Sequence, residues 1–234
     1  MDAYRQKRIW DYYQNEQKEV FYGNTARLSF LAKMVSRQKV LNIGVGNGAF
    51  EELALKNGAD VFTLDPSEDA IEKIRLRLNL DEKAKVGYCQ DIPFPDEHFD
   101  AVIISEVLEH LDETTLLKTL NEIFRVLKDR GRLIGTVPSN ENLDTQRIVC
   151  PECGTKFHRW GHVQSFSLKR LNILLRQYFI VEEIYSRPFI RYPVLNRKGK
   201  INVTIIRWFL RLYLKCVGQS ISENLVFVAS KRCS

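Results

Sequence analysis

The sequence is short of most features that would set it outside the ordinary globular class. No apolar run approaches the roughly 18 residues of a membrane-spanning helix, and the most apolar stretch, Ile201 to Val217, is broken by Arg207, Arg211 and Lys215. The first 22 residues are charged, rich in Gln and Tyr, and lack the apolar centre of a secretion signal. A cytoplasmic chain is therefore expected, with any membrane contact peripheral. Cysteines are few and odd in number, five in 234 residues. Two of them form one C-x-x-C, which in a reducing compartment argues for metal binding over a disulfide framework. Acidic residues are absent from Ile184 to Ser222, where eight basic ones stand.

The rest is ordinary: 44% hydrophobic, 27% charged, 12 Gly and 7 Pro, which excludes collagen-like and disordered chains. The length suits one domain, 1–234, with insertions. The formal net charge is +6, and without the eight basic residues of 184–222 the remainder carries −2. The positive charge therefore belongs to one segment and not to the body.

Hydrophobic periodicity predicts N-terminal helices within 1–38, one over 4–22 and one from Thr25 to Arg37. A core over 39–140 follows. It alternates strand Lys39 to Ile43, helix 49–57, strand Asp60 to Leu64, helix 67–78, strand Lys85 to Cys89, strand Phe99 to Ile104, helix 112–128 and strand Arg132 to Val137. Such alternation implies an α/β fold with a mainly parallel, doubly wound sheet covered by helices on both faces. Ligands bind such sheets beyond the carboxyl ends of the strands.

At the first of those ends stands Asn42-Ile-Gly44-Val-Gly46-Asn-Gly48, a G-x-G-x-G turn in which the backbone can approach a ligand closely. Asp65 ends the second strand 21 positions after Gly44, where a carboxylate can accept both hydroxyls of a ribose. Asp91, after the third strand, is placed to accept from an exocyclic amine while neighbouring backbone reads a purine edge.

The segments VLNIGVGNGAFEELA, VFTLDPSEDAIEKI, CQDIPFPDEHFDAVIISEVLEHL and FRVLKDRGRLIGTVPS resemble, in order and spacing, the motifs of class I S-adenosylmethionine-dependent methyltransferases of the small-molecule type. The resemblance covers Gln38 to Ser139. It implies a Rossmann-like, seven-stranded, mostly parallel sheet with an antiparallel last strand at Asn224 to Ser230. It also implies S-adenosyl-L-methionine as cofactor, with Gly44, Gly46 and Gly48 around the methionine part, Asp65 and Pro66 at the ribose, Asp91 and Ile92 at the adenine, and Ser105 and Glu106 near the methyl. Asn42 departs from the family's usual Asp or Glu and implies weaker cofactor binding. His110, just after Glu106, is the candidate general base, against a packing role at a helix start.

The most distinctive stretch, Cys150-Pro-Glu-Cys153-Gly-Thr-Lys-Phe-His158-Arg-Trp-Gly-His162, offers C-x2-C-x4-H-x3-H. That spacing suits a structural Zn2+ held by Cys150, Cys153, His158 and His162; a redox pair, buried thiols, or a set in which His162 faces substrate are the other readings. The loop, 141–166, would hang over the sheet's carboxyl edge as a lid, with Phe157, Arg159 and Trp160 as wall residues.

A strand at Phe179 to Ile184 precedes a basic amphipathic insertion over 185–222. Through 187–217 it could contact an anionic membrane or dock on the protein. The expected partner is a small-molecule or lipid-linked acceptor. No Asn/Asp-Pro-Pro-Tyr motif follows the fourth strand, which argues against nucleic acid. RNA or protein methylation, or a zinc-bearing interaction module on a degenerate fold, are the alternatives.

Overall fold

The structure is a computed structural model that describes residues 8–13, 25–189 and 223–232. Residues 8–13 are helical, and the helix expected over 4–22 otherwise lies outside the described residues, as does nearly all of the insertion. The main elements are α1 (Thr25–Met34), β1 (Lys39–Ile43), α2 (Ala49–Lys56), β2 (Asp60–Asp65), α3 (Glu68–Leu78), β3 (Ala84–Val86), β4 (Phe99–Ser105), α4 (Glu113–Val126), β5 (Leu127–Pro138), β6 (Arg147–Val149), β7 (Lys156–His158), α5 (Leu168–Leu175), β8 (Phe179–Pro188) and β9 (Glu223–Lys231).

Seven strands form one sheet in the order β3-β2-β1-β4-β5-β9-β8. β1 pairs in parallel with β2 and β4, whereas β9 runs antiparallel to both β5 and β8. This is the Rossmann-like sheet with an antiparallel last strand that the resemblance implied. Its central strands are apolar on both faces, as parallel strands covered twice must be. In β4, Val102 and Ile104 pack with Leu116, Leu120 and Ile123 of α4, while Ala101 and Ile103 pack with Leu31 of α1 and Phe50 of α2. Helix starts follow the sequence: the Ser67 side chain accepts from Ala70 N, and Asp112 accepts from Thr115 N at 2.7 Å.

Three boundaries differ from expectation. β3 is only three residues long and ends at Val86, with Gly87 N–H adding a last rung to Asp65 O at 3.1 Å before the chain leaves the sheet. β5 begins directly at the end of α4. Phe99 pairs with Leu127 and Ala101 with Arg132, so a bulge with Arg130 at φ 59° absorbs the turn-like Lys-Asp-Arg-Gly. β8 runs on to Pro188, so the first residues of the 185–222 insertion are strand paired with β9. Among the described residues, no helix is long and apolar enough to cross a membrane.

Candidate active site

A cavity of about 560 Å³ opens at the carboxyl ends of β1, β2 and β4, within the usual range for small-molecule sites. Its walls run from the glycine turn through Asp65 and Pro66 to Gly87–Gln90, then across Ser105, Glu106 and Val107 to His110. Trp10, Tyr13, Trp160 and His162 line it too.

Of the expected cofactor residues, Asn42, Gly44, Gly46, Asp65, Pro66, Ser105 and Glu106 line this cavity. Gly44 has φ +91°, and a Cβ there would stand 2.9 Å from Val107 Cγ2, so only glycine fits without strain. Gly48 lies behind the lining as the left-handed N-cap of α2. Asp91 is exposed and Ile92 is buried with its N–H on Glu122 Oε2, and neither reaches the cavity wall. The early end of β3 puts Tyr88, Cys89 and Gln90 there instead.

Asp65 is 3% exposed, and its two oxygens accept from Val45 N and Ser67 N, both at 2.9 Å. It thereby ties the glycine turn to the start of α3. Glu106 has a left-handed φ of 57°, a costly conformation for this residue type. Its carboxylate is fixed by Thr136 Oγ1 and Asn224 Nδ2 at 2.8 Å and by Arg27 Nη1 at 3.5 Å.

Asn42 shows what stands in place of the family's acid. Its amide donates to Gly44 O at 3.0 Å and to Glu51 Oε1 at 2.6 Å, and Thr63 Oγ1 donates to the same Glu51 oxygen. Glu51 is fully buried on α2, and burial pushes its carboxyl up to about 7. A buried carboxyl group thus sits directly behind the amide.

His110 lines the cavity in a short helical turn, Leu108–His110. Burial, reinforced by neighbouring His162, pulls its pKa down to about 3, so the ring is neutral near pH 7 and holds a proton weakly. Its neighbour Glu109 is 1% exposed. Burial, with Glu106 nearby, raises the Glu109 carboxyl well above its ordinary range.

The four expected metal ligands are not brought together. Arg147 pairs with His158 and Val149 with Lys156, so β6 and β7 form a hairpin with exposed Cys153 in its tip. Each strand residue adds about 3.3 Å, which carries Cys150 and Cys153 away from His158 at the other end. The imidazoles turn instead to Glu141: His162 Nδ1 lies 2.5 Å from Glu141 Oε2 and His158 Nε2 3.5 Å from Oε1. Among the described residues, the groups of three metal-capable side chains are Glu109, His110 and His162, and Glu141, His158 and His162; neither contains a cysteine. The loop does reach over the cavity, where Trp160 lines the wall while Phe157 and Arg159 do not. Sequence reasoning missed Glu51, Arg27, Asn224 and Glu141, whose proximity to the site is set by packing and not by any motif spacing.

Residues 41–135 match the family described as a methyltransferase domain. The chain is 34% identical over 124 residues to an uncharacterised protein of Methanocaldococcus jannaschii, covering 52% of this chain and 51% of that one. It is 35% identical over 102 residues to a demethylmenaquinone methyltransferase of Clavibacter sepedonicus, covering 43% and 41%. The chain thus spans about half or less of the length of these relatives. In fold it is similar to the Burkholderia thailandensis 1,6-didemethyltoxoflavin-N1-methyltransferase solved with 1,6-didemethyltoxoflavin and S-adenosylhomocysteine. That likeness has a TM-score of 0.64 at 16% identity, over 94% of this chain and 84% of that one.

Proposed function

We propose that this protein transfers a methyl group from S-adenosylmethionine to a small, planar acceptor bearing an oxygen or nitrogen nucleophile. One observation carries the reading: a single cavity joins the glycine turn and Asp65 at one end to Trp10, Tyr13, His110, Trp160 and His162 at the other. The first end suits a nucleoside carrying an amino acid. There Gly44 and Gly46 admit close backbone approach, Asp65 offers carboxylate oxygens to a ribose, and Tyr88 to Gln90 flank the base. The second end is walled by aromatic rings packed on one another, Trp10 edge-to-face with His110 at 4.9 Å and Tyr13 tilted against Trp160 at 4.8 Å, a lining that suits a flat, partly apolar acceptor. The matched methyltransferase domain and the likeness to a demethylmenaquinone methyltransferase support methyl transfer to a small molecule.

The sulfonium cofactor supplies an activated methyl group, so the chain's own task is alignment and exclusion of water. Glu106, fixed from three sides, forms the floor between the two ends. His110, partly buried and neutral near pH 7, forms part of the wall there and is a weak base.

The test is incubation with S-adenosylmethionine and a panel of hydroquinones, phenols and heteroaromatic amines, read by mass spectrometry. Gain of one methyl group by a planar acceptor, lost in Asp65→Ala, is expected. Methylation confined to RNA or protein substrates would overturn the reading.

A further inference from the structure

We propose that Glu109, His110 and His162 form a binding site for one divalent first-row transition metal ion in the wall of the cavity, with Glu141 orienting His162 from behind. This set excludes the cysteines, and its case is independent of the methyl-transfer reading.

The first support is placement. Glu109 and His110 lie in the turn after β4, and His162 lies on the loop that returns over it. Ligand atoms of the three come within 4.8 Å of one another. Bonds of about 2.1 Å require ligand atoms roughly 3–4 Å apart, a difference that side-chain torsions can close. The loop is pinned at this point, because Val163 N and Gln164 N both donate to the Glu109 carbonyl, at 2.9 and 3.1 Å.

The second support is a buried carboxyl group that nothing among the described residues answers with a hydrogen bond. Glu109 is 1% exposed, and neither carboxylate oxygen has a hydrogen-bond partner among the described residues. A buried carboxylate with no donor is expensive, and native structures answer it with a partner or an ion. The guanidinium in this region, Arg27, pairs through Nη1 with Glu106 at 3.5 Å and acts on Glu109 only through space, offsetting part of its burial without a hydrogen bond to it.

The third support is the proton arrangement. His162 Nδ1 is held by Glu141 Oε2 at 2.5 Å, which leaves Nε2 as the nitrogen available to a cation. A carboxylate behind a ligating imidazole is the usual way to fix its tautomer and raise its basicity. Glu141 is itself steadied by His158, whose ring stacks on His162 at 4.6 Å and whose Nδ1 accepts from His162 N at 3.2 Å. That acceptance puts the His158 proton on Nε2, facing Glu141, so His158 belongs to the support and not to the ligand set. Two imidazoles and one carboxylate suit Zn2+, Co2+ or Fe2+ and not the all-oxygen cages of Ca2+.

The test is titration of the full chain, stripped with chelator and dialysed, with CoCl2 and separately with ZnCl2. Visible absorption and calorimetry provide the readouts. One equivalent of Co2+ is expected to bind saturably with d–d bands and no thiolate charge-transfer band. Affinity should fall at least tenfold in Glu109→Gln and in Glu141→Gln, with circular dichroism confirming that both fold, and stay unchanged in the double variant C150S/C153S. Absence of saturable binding by the folded protein, or a thiolate band abolished in C150S/C153S, would overturn the proposal.

Discussion

Glu51 shows how a single buried side chain can set a pH response. Its carboxyl is held near 7 in the fold against 4.5 in an ordinary setting, so the folded chain holds this proton more tightly than the unfolded one. The stabilising contribution is full below about pH 4.5 and is lost as pH rises through 7, a swing of about 3 kcal/mol. Glu51→Gln removes the titration. Denaturant unfolding from pH 5 to 8 should show the variant gaining on the native protein as pH rises, and parallel curves would contradict the assignment. Asp65 makes a second case, because its oxygens hold both Val45 N and Ser67 N. Asp65→Ala leaves those buried donors unanswered, which costs about 1–3 kcal/mol each. Both the melting temperature and cofactor affinity should fall.

At this scale the sequence was informative wherever chemistry follows from spacing. Gly44, Gly46 and Asp65 stand at fixed offsets around a strand-turn-helix unit and arrive at the cavity together. Glu51 was illegible for the opposite reason. In the sequence it is a first-turn acid of an amphipathic helix, and only the packing of α2 on β1 and β2 turns it inward to Asn42 and Thr63.

The elements follow local rules closely enough to be tested one by one. Ser167 caps α5, its hydroxyl accepting from Arg170 N at 3.1 Å, and it lies away from the cavity walls. Ser167→Ala should lower stability by about 1 kcal/mol in thermal unfolding and leave cofactor affinity unchanged. Loss of affinity would mean that α5 and the loop before it form one unit with the site. Helix α4 and strands β1, β2 and β4 were legible because long apolar periodicities leave few alternatives. The short β3 was not, since an edge strand that pairs on one side with three residues of β2 leaves little periodicity to read. The hairpin of β6 and β7 hid the fate of the C-x-x-C motif: spacing along the chain suggested four ligands at one point, while an extended ladder set cysteines and histidines at opposite ends.

For the whole molecule, the net charge of +6 is a property of one basic segment, and the body around the cavity is close to neutral. The body's architecture is the one its strand-helix alternation announced, and its use rests on a continuous cavity from Asp65 to Trp160. The most direct test of that account is isothermal calorimetry with S-adenosylhomocysteine on the native chain. The account predicts one site per chain with micromolar affinity, and at a hundredfold excess over Kd a gain of about 2.7 kcal/mol in unfolding free energy. No binding at millimolar ligand by protein whose circular dichroism shows it folded would contradict the central claim.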